Sequence, residues 1–143
     1  YGWFSDYRGY RYVRQHPSGV DWPAIPTSIM EIWRVMAALA PDPECCLVNY
    51  YGEGARMGLH QDRDEANFEW PVVSISLGDD ALFRVGGAAR GGKTESIWLQ
   101  SGDVAVIGGA ARLNYHGIDR IKFGSSRLLK DGGRLNVTLR VVK

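Results

Sequence analysis

Residues 134–142 read RLNVTLRVV, and the reading of the rest of the chain follows from their alternation. Successive side chains of a strand point to opposite faces. Leu135, Val137, Leu139 and Val141 therefore share one side, and Arg134, Asn136, Thr138 and Arg140 share the other. The apolar side is a core face. The second side is either an outer surface in water or the lining of an interior. If it lines an interior, its two guanidinium groups need an anion, because a buried unpaired cation is costly. A dicarboxylate with one carboxylate on each arginine, held by bidentate bonds, would meet that need.

Working outward, the same alternation recurs. CLVNYYGEG (residues 46–54) puts Asn49 and Tyr51 on one side, each able to give a carboxylate an uncharged hydrogen bond. VVSISL (72–77) runs into Gly78-Asp79-Asp80, and ALFRV (81–85) into Gly86-Gly87. SIWL (96–99) precedes Ser101-Gly102-Asp103, and VAVI (104–107) runs into Gly108-Gly109. Short strands separated by Gly/Asp turns predict a sandwich or jelly roll over residues 45–143. One helix stands before them. Ser28 and Glu31 have capping-box spacing, Ile29, Ile32, Trp33, Met36 and Leu39 recur at helical spacing, and Pro41 ends the run. Residues 1–26 are aromatic and turn-rich, with HPSGVDWPAIP read as loop. The fold class is α+β, mainly β, in a single domain over 1–143.

With 45% hydrophobic and 23% charged residues, the composition is that of an ordinary soluble domain. No apolar run reaches the roughly 20 residues of a membrane helix, and no signal peptide is legible. A monomer in a reducing, cytoplasmic setting is expected, and the absence of an initiating methionine points to a trimmed N-terminus. The adjacent Cys45 and Cys46 are expected to be free, buried thiols in a buried strand. A net charge of +1 hides an asymmetry: residues 42–103 carry 11 acidic against 5 basic side chains, and residues 112–143 carry 8 basic against 2 acidic. The basic end is either a solvated face or an attractor for phosphate or a dicarboxylate.

LHQDRDE (59–65) sets His60 and Asp62 two residues apart, able on a strand to reach one ion from the same side. A solvated acidic turn would look the same. The other histidines are His16, in a Pro/Gly loop and expected to face solvent, and His116 in RLNYHGI, either a core histidine or a ligand. Taken together, His60, Asp62 and His116 would make a two-histidine-one-carboxylate facial triad of the kind that leaves positions open on Fe(II).

CLVNYYGEGARMGLHQDRDE, VVSISLG, GDVAVIGGAARLNYHGI and RLNVTLR, in this order and spread over nearly the whole chain, resemble the AlkB family of 2-oxoglutarate- and Fe(II)-dependent dioxygenases. The resemblance implies a double-stranded β-helix. It implies iron ligation by His60, Asp62 and His116. It implies 2-oxoglutarate binding by Arg134 with Tyr51 at the distal carboxylate and by Arg140 at the other, with Asn49, Asn136 and Thr138 nearby. It also implies a nucleotide-recognition lid over residues 1–26. There Trp3 would stack on a damaged base, with Tyr10 and Tyr12 contacting the phosphate backbone or lining the pocket, while Asp64 would contact the exocyclic amine and Arg90 would bind substrate. The activity implied is oxidative demethylation of 1-methyladenine and 3-methylcytosine in DNA, with RNA as a second nucleic acid, releasing formaldehyde, succinate and CO2. Two rivals keep parts of the reading: a 2-oxoglutarate hydroxylase of a non-nucleic-acid substrate, and a non-catalytic jelly-roll metal-binding module.

Overall fold

The computed structural model describes residues 1–6, 8 and 11–143. Its elements are β1 (Phe4–Asp6), β2 (Arg11–Val13), α1 (Thr27–Met36), β3 (Cys45–Tyr51), β4 (Met57–His60), β5 (Val72–Gly78), β6 (Asp80–Val85), β7 (Glu95–Leu99), β8 (Val104–Ile107), a 3-10 turn (Gly109–Ala111), β9 (His116–Lys122) and β10 (Arg134–Arg140). Two four-stranded antiparallel sheets result, ordered β3-β10-β5-β8 and β4-β9-β6-β7. They form the predicted jelly roll.

β10 has a partner on each side and carries the alternation into three dimensions. Leu139, Val137 and Val141 join Val73, Ile75, Cys46, Trp33 and Ala37 in a core between the first sheet and α1, with Ile29 and Ile32 packed against it. Arg134, Asn136, Thr138 and Arg140 point the other way, are all buried, and line a cleft between the two sheets. Covering one face of the sheet with a helix thus forces the polar face of β10 inward. A second, smaller core of Tyr51, Ala81 and Ile118 brings together residues of both sheets.

Several sequence expectations need correction. No side chain caps α1: Pro26 stands at its N-cap, and the Ser28–Glu31 box does not form. Proline there supplies a preset φ near the helical value, and its missing N–H is no loss at the first turn. The helix stops at Met36, and Leu39 is 95% exposed rather than part of the apolar stripe. β3 is an edge strand of its sheet, laddered to β10 and meeting the N-terminal residues only at Cys45 and Cys46 among the described residues, so Leu47, Val48 and Tyr50 are exposed although Cys45, Cys46 and Tyr51 are buried. β10 ends at Arg140, leaving Val141 and Val142 buried beyond it. The first 26 residues contain the β1–β2 hairpin, with Phe4 opposite Val13 and Asp6 opposite Arg11. β4 and β9 were not separable as strands in the sequence.

Asp79, in the β5–β6 turn, fixes the loop before β10. Its buried carboxylate accepts bonds from the backbone N–H groups of Gly124 (2.9 Å), Ser126 (2.8 Å) and Gly133 (2.8 Å). Burial opposes its ionisation, but these donors outweigh that and hold the carboxyl below its ordinary value. Among the described residues no helix is long and apolar enough to cross a membrane.

Candidate active site

β4 and β9 pair so that His60 lies opposite His116. The register slips between Met57 and His60, and Gly117 lets the strands approach closely: a Cβ there would lie 2.5 Å from the Met57 carbonyl oxygen and 2.8 Å from that of Gly58. The imidazole centroids are 4.6 Å apart. The Nδ1 atoms lie 2.9 Å from the carbonyl oxygens of Gly58 and Asn114 respectively. A carbonyl only accepts, so each Nδ1 carries the proton and donates it, and each Nε2 keeps a free lone pair.

Both Nε2 atoms face Asp62. Nε2 of His60 is 3.9 Å from Oδ1 and Nε2 of His116 is 3.6 Å from Oδ2. One ligand atom from each of the three residues lies within 4.8 Å of the others. Asp62 does not reach this place by strand alternation, since β4 ends at His60 and Asp62 lies in the connection beyond. Burial works against its ionisation. The neighbouring His116 and the charge of Arg140, whose Nη2 donates to Oδ1 at 3.0 Å, prevail, and the carboxyl titrates well below the usual carboxylate range. An ionised acid and two free imidazole lone pairs on one side of a cleft are a donor set suited to a borderline divalent metal.

The two arginines of β10 differ. Arg140 is already neutralised: Nη2 bonds Asp62, and Nε lies 3.2 Å from Oε1 of Glu65 at an angle that gives an ion pair without a hydrogen bond. Arg134 is 1% exposed and gives Nη2 to Ser76 Oγ at 3.0 Å, while Nε and Nη1 have no partner among the described residues. Its guanidinium lies 5.3 Å from the centre of the Tyr51 ring. Burial lowers its pKa, and Tyr51 opposes that. A buried guanidinium with two orphaned donors is costly unless an anion arrives. The dicarboxylate expected to span both arginines therefore finds free donors on Arg134 first. Asn49 and Tyr51 face this cleft, paired in register with Asn136 and Arg134. Asn136 is committed internally: Nδ2 donates to Ser74 Oγ (2.6 Å) and Oδ1 accepts from Thr138 Oγ1 (2.8 Å).

A second, apolar cleft adjoins the first, with Arg140 lining both. Trp3, Phe4, Tyr12, Trp22 and Cys45 line it. The Tyr12 hydroxyl donates to Glu65 Oε1 at 3.1 Å. Burial, aided by Glu65 and opposed by Arg140, raises the phenol far above its ordinary value, so it stays a donor. Burial likewise pushes the Cys45 thiol up to about 11, against the pull of Arg140, and raises Cys46, so both are free, protonated thiols and poor metal ligands. Lys143 Nζ sits 5.1 Å over the Trp3 ring. Asp64 is exposed and lines neither cleft, and its carboxyl is raised by partial burial and by neighbouring Glu65 and Asp62, against Arg140. Arg90 lies elsewhere, over the Tyr115 ring at 5.0 Å, and lines neither cleft. Tyr10 falls outside the described residues, and His16 is exposed as expected.

Sequence reasoning missed two residues. Glu65 is 1% and Arg112 4% exposed at the side chain, joined by a 3.1 Å ion pair. Glu65 was visible only as the last acid of LHQDRDE, and Arg112 as one more cation of a basic segment. Nothing local marks either as buried.

A jelly roll whose inter-sheet cleft presents two imidazoles, one carboxylate and a nearby unpaired guanidinium defines a class: an oxygenase-type scaffold with an open metal face and an anion anchor. The chain belongs to the AlkB family of the 2OG-Fe(II) oxygenase superfamily, whose family model it matches over residues 1–140. It is 56% identical over 140 residues to an alpha-ketoglutarate-dependent dioxygenase AlkB homolog of Caulobacter vibrioides, covering 97% of this chain and 64% of that protein. To the alpha-ketoglutarate-dependent dioxygenase AlkB of Escherichia coli it is 42% identical over 144 residues, covering 97% and 66%. The chain thus spans just under two thirds of these relatives. The solved structure of OsALKBH1 superposes with a TM-score of 0.86 at 33% identity, over 98% of this chain and 75% of that one.

Proposed function

We propose that this domain oxidatively demethylates N-alkylated nucleobases in nucleic acid, 1-methyladenine and 3-methylcytosine foremost, using Fe(II), 2-oxoglutarate and O2. The observation that carries the reading is the buried Arg134 with two orphaned donors in the same cleft as the His60–Asp62–His116 group. A closed structural zinc site would need four protein ligands and no anion anchor, which disfavours the plain metal-binding module.

His60 and His116 would hold iron through Nε2 and Asp62 through its carboxylate. With 2-oxoglutarate and O2, the bound iron supplies the oxidising power to hydroxylate a C–H bond. The chain's own residues do the rest. Arg134 offers two free N–H donors to the far carboxylate of the cosubstrate, beside Tyr51. Arg140 keeps Asp62 ionised and oriented. The carbonyls of Gly58 and Asn114 fix the tautomers of the two histidines.

The DNA-demethylase reading of the substrate rests on the apolar cleft, on the exposed acid Asp64 near Asp62 and Glu65, and on the relatives' names, which for the mouse protein read nucleic acid dioxygenase ALKBH1. Methylation at N1 of adenine or N3 of cytosine makes the base cationic, and the carboxylate of Asp64 favours a cation near it. Trp3 and Tyr12 offer aromatic surface for a flipped base, worth roughly 1–3 kcal/mol of stacking. Residues 1–26 then serve as the lid over the 45–143 core.

The test is formaldehyde release from a 1-methyladenine oligonucleotide, with succinate measured in parallel. Wild type is expected to release both, and His60→Ala, Asp62→Ala and His116→Ala neither, while circular dichroism stays unchanged. Wild-type turnover in any of the three removes that residue from the ligand set. Succinate without formaldehyde from every methylated oligonucleotide would keep the oxygenase and discard the nucleobase substrate.

A further inference from the structure

We propose that Arg112 is the positioning residue of the metal-binding carboxylate, its guanidinium fixing the main chain of Asp62 and the connection that follows it; this rests on the reading of His60, Asp62 and His116 as a metal site. Asp62 stands beyond the end of β4, where no sheet ladder holds its backbone. Arg112 reaches across and bonds three points of that connection. Nη1 donates to the Asp62 carbonyl at 2.9 Å, Nη2 to Glu65 Oε2 at 3.1 Å, and Nε to the Trp70 carbonyl at 2.9 Å. A planar guanidinium presents these donors in fixed directions, which an ammonium cannot do.

Two arginines thus divide the task. Arg140 sets the Asp62 carboxylate through its side chain, and Arg112 sets the main chain that carries it. Arg112 follows the 3-10 turn Gly109–Ala111 and precedes His116 by four residues, so one short segment carries both a histidine ligand and the clamp on the acid ligand. From the same region the Leu113 carbonyl accepts a bond from Gln61 Nε2, securing the residue between His60 and Asp62. Glu65 completes the clamp, since it also meets Arg140 and Tyr12.

The experiment measures Mn(II) binding to the metal-free protein, without turnover, by the loss of the free-ion electron paramagnetic resonance signal. Arg112→Lys keeps the charge opposite Glu65 but loses the fork, and Arg112→Gln loses both. Each is expected to weaken Mn(II) binding about 10–100-fold, the range for lost outer-sphere support of a ligand, while retaining the wild-type circular dichroism. Trp33→Phe, in the helix–sheet core, serves as a control that lowers stability and is expected to leave Mn(II) affinity within twofold of wild type. The inference is overturned if the Arg112 variants bind Mn(II) as tightly as wild type. It is equally overturned if Trp33→Phe weakens binding as much as they do, or if both Arg112 variants are unfolded, because Arg112 would then be a folding element only. Failure of wild type to bind Mn(II), or an Asp62→Ala variant that binds normally, would remove the metal-site reading itself, and the inference with it.

Discussion

Gly117→Ala is the substitution whose consequence the structure specifies most closely. Gly117 follows His116 on β9 and faces the backbone of β4, which carries His60. A methyl at its position would lie 2.5 Å from the Met57 oxygen and 2.8 Å from the Gly58 oxygen, against a limit of 3.0 Å below which real Cβ atoms are essentially never found. Both obstacles are backbone atoms, so no rotamer change relieves the overlap. The strands must part by about 0.5 Å or more, whereas metal–ligand distances tolerate about 0.2 Å. The Gly58 carbonyl also fixes the His60 tautomer, so the shift reaches that ligand twice. Overpacking of this kind costs about 1–3 kcal/mol of stability, which for a chain of this size lowers Tm by about 4–12 °C. The variant is expected to remain folded at 20 °C and to lose at least tenfold in Mn(II) affinity, measured by titration calorimetry beside wild type. Unchanged Mn(II) affinity would refute the reasoning, since the close approach of β4 and β9 would then not be what brings the two imidazoles together.

Further outcomes follow from other parts of the site. Arg134→Met removes a buried cation that lacks partners, so the cosubstrate-free protein should be as stable as wild type or more so, while KM for 2-oxoglutarate rises by about 100-fold; a large loss of Tm without change in KM would contradict this. Asp79→Asn should cost about 1–3 kcal/mol at pH 7 in urea unfolding. The Asp79 carboxyl has a depressed folded-state pKa, so its contribution is present above the unfolded value of 3.8 and is lost as pH falls through the folded one. The gap between wild type and variant should therefore start to close as pH falls below about 4, and a constant gap down to pH 2 would show the charge to be irrelevant. Asp64→Asn should lower formaldehyde release from cationic methylated bases while sparing 2-oxoglutarate decay without substrate; equal loss of both would place Asp64 with the metal or cosubstrate instead.

Alternation in residues 134–142 determined by itself that β10 has an apolar and a polar face, and the helix-covered core shows why the polar face turned inward. His60, Asp62 and His116 could be nominated from residue type and spacing, because few side chains bind a borderline metal. Their convergence was another matter. Asp62 leaves the strand after His60, and its main-chain carbonyl accepts a bond from Arg112, 50 residues on. Likewise alternation alone makes Arg134 and Arg140 look equivalent. Only the packed structure distinguishes them, because Glu65 and Asp62 arrive from a distant loop to neutralise one and leave the other with open donors. The expected capping box that does not form and the exposed Leu39 follow the same rule in small. Periodicity and residue type are local and survive in a single chain, whereas the pairing of charges and the end of an element are settled by which distant groups fill the space beside them.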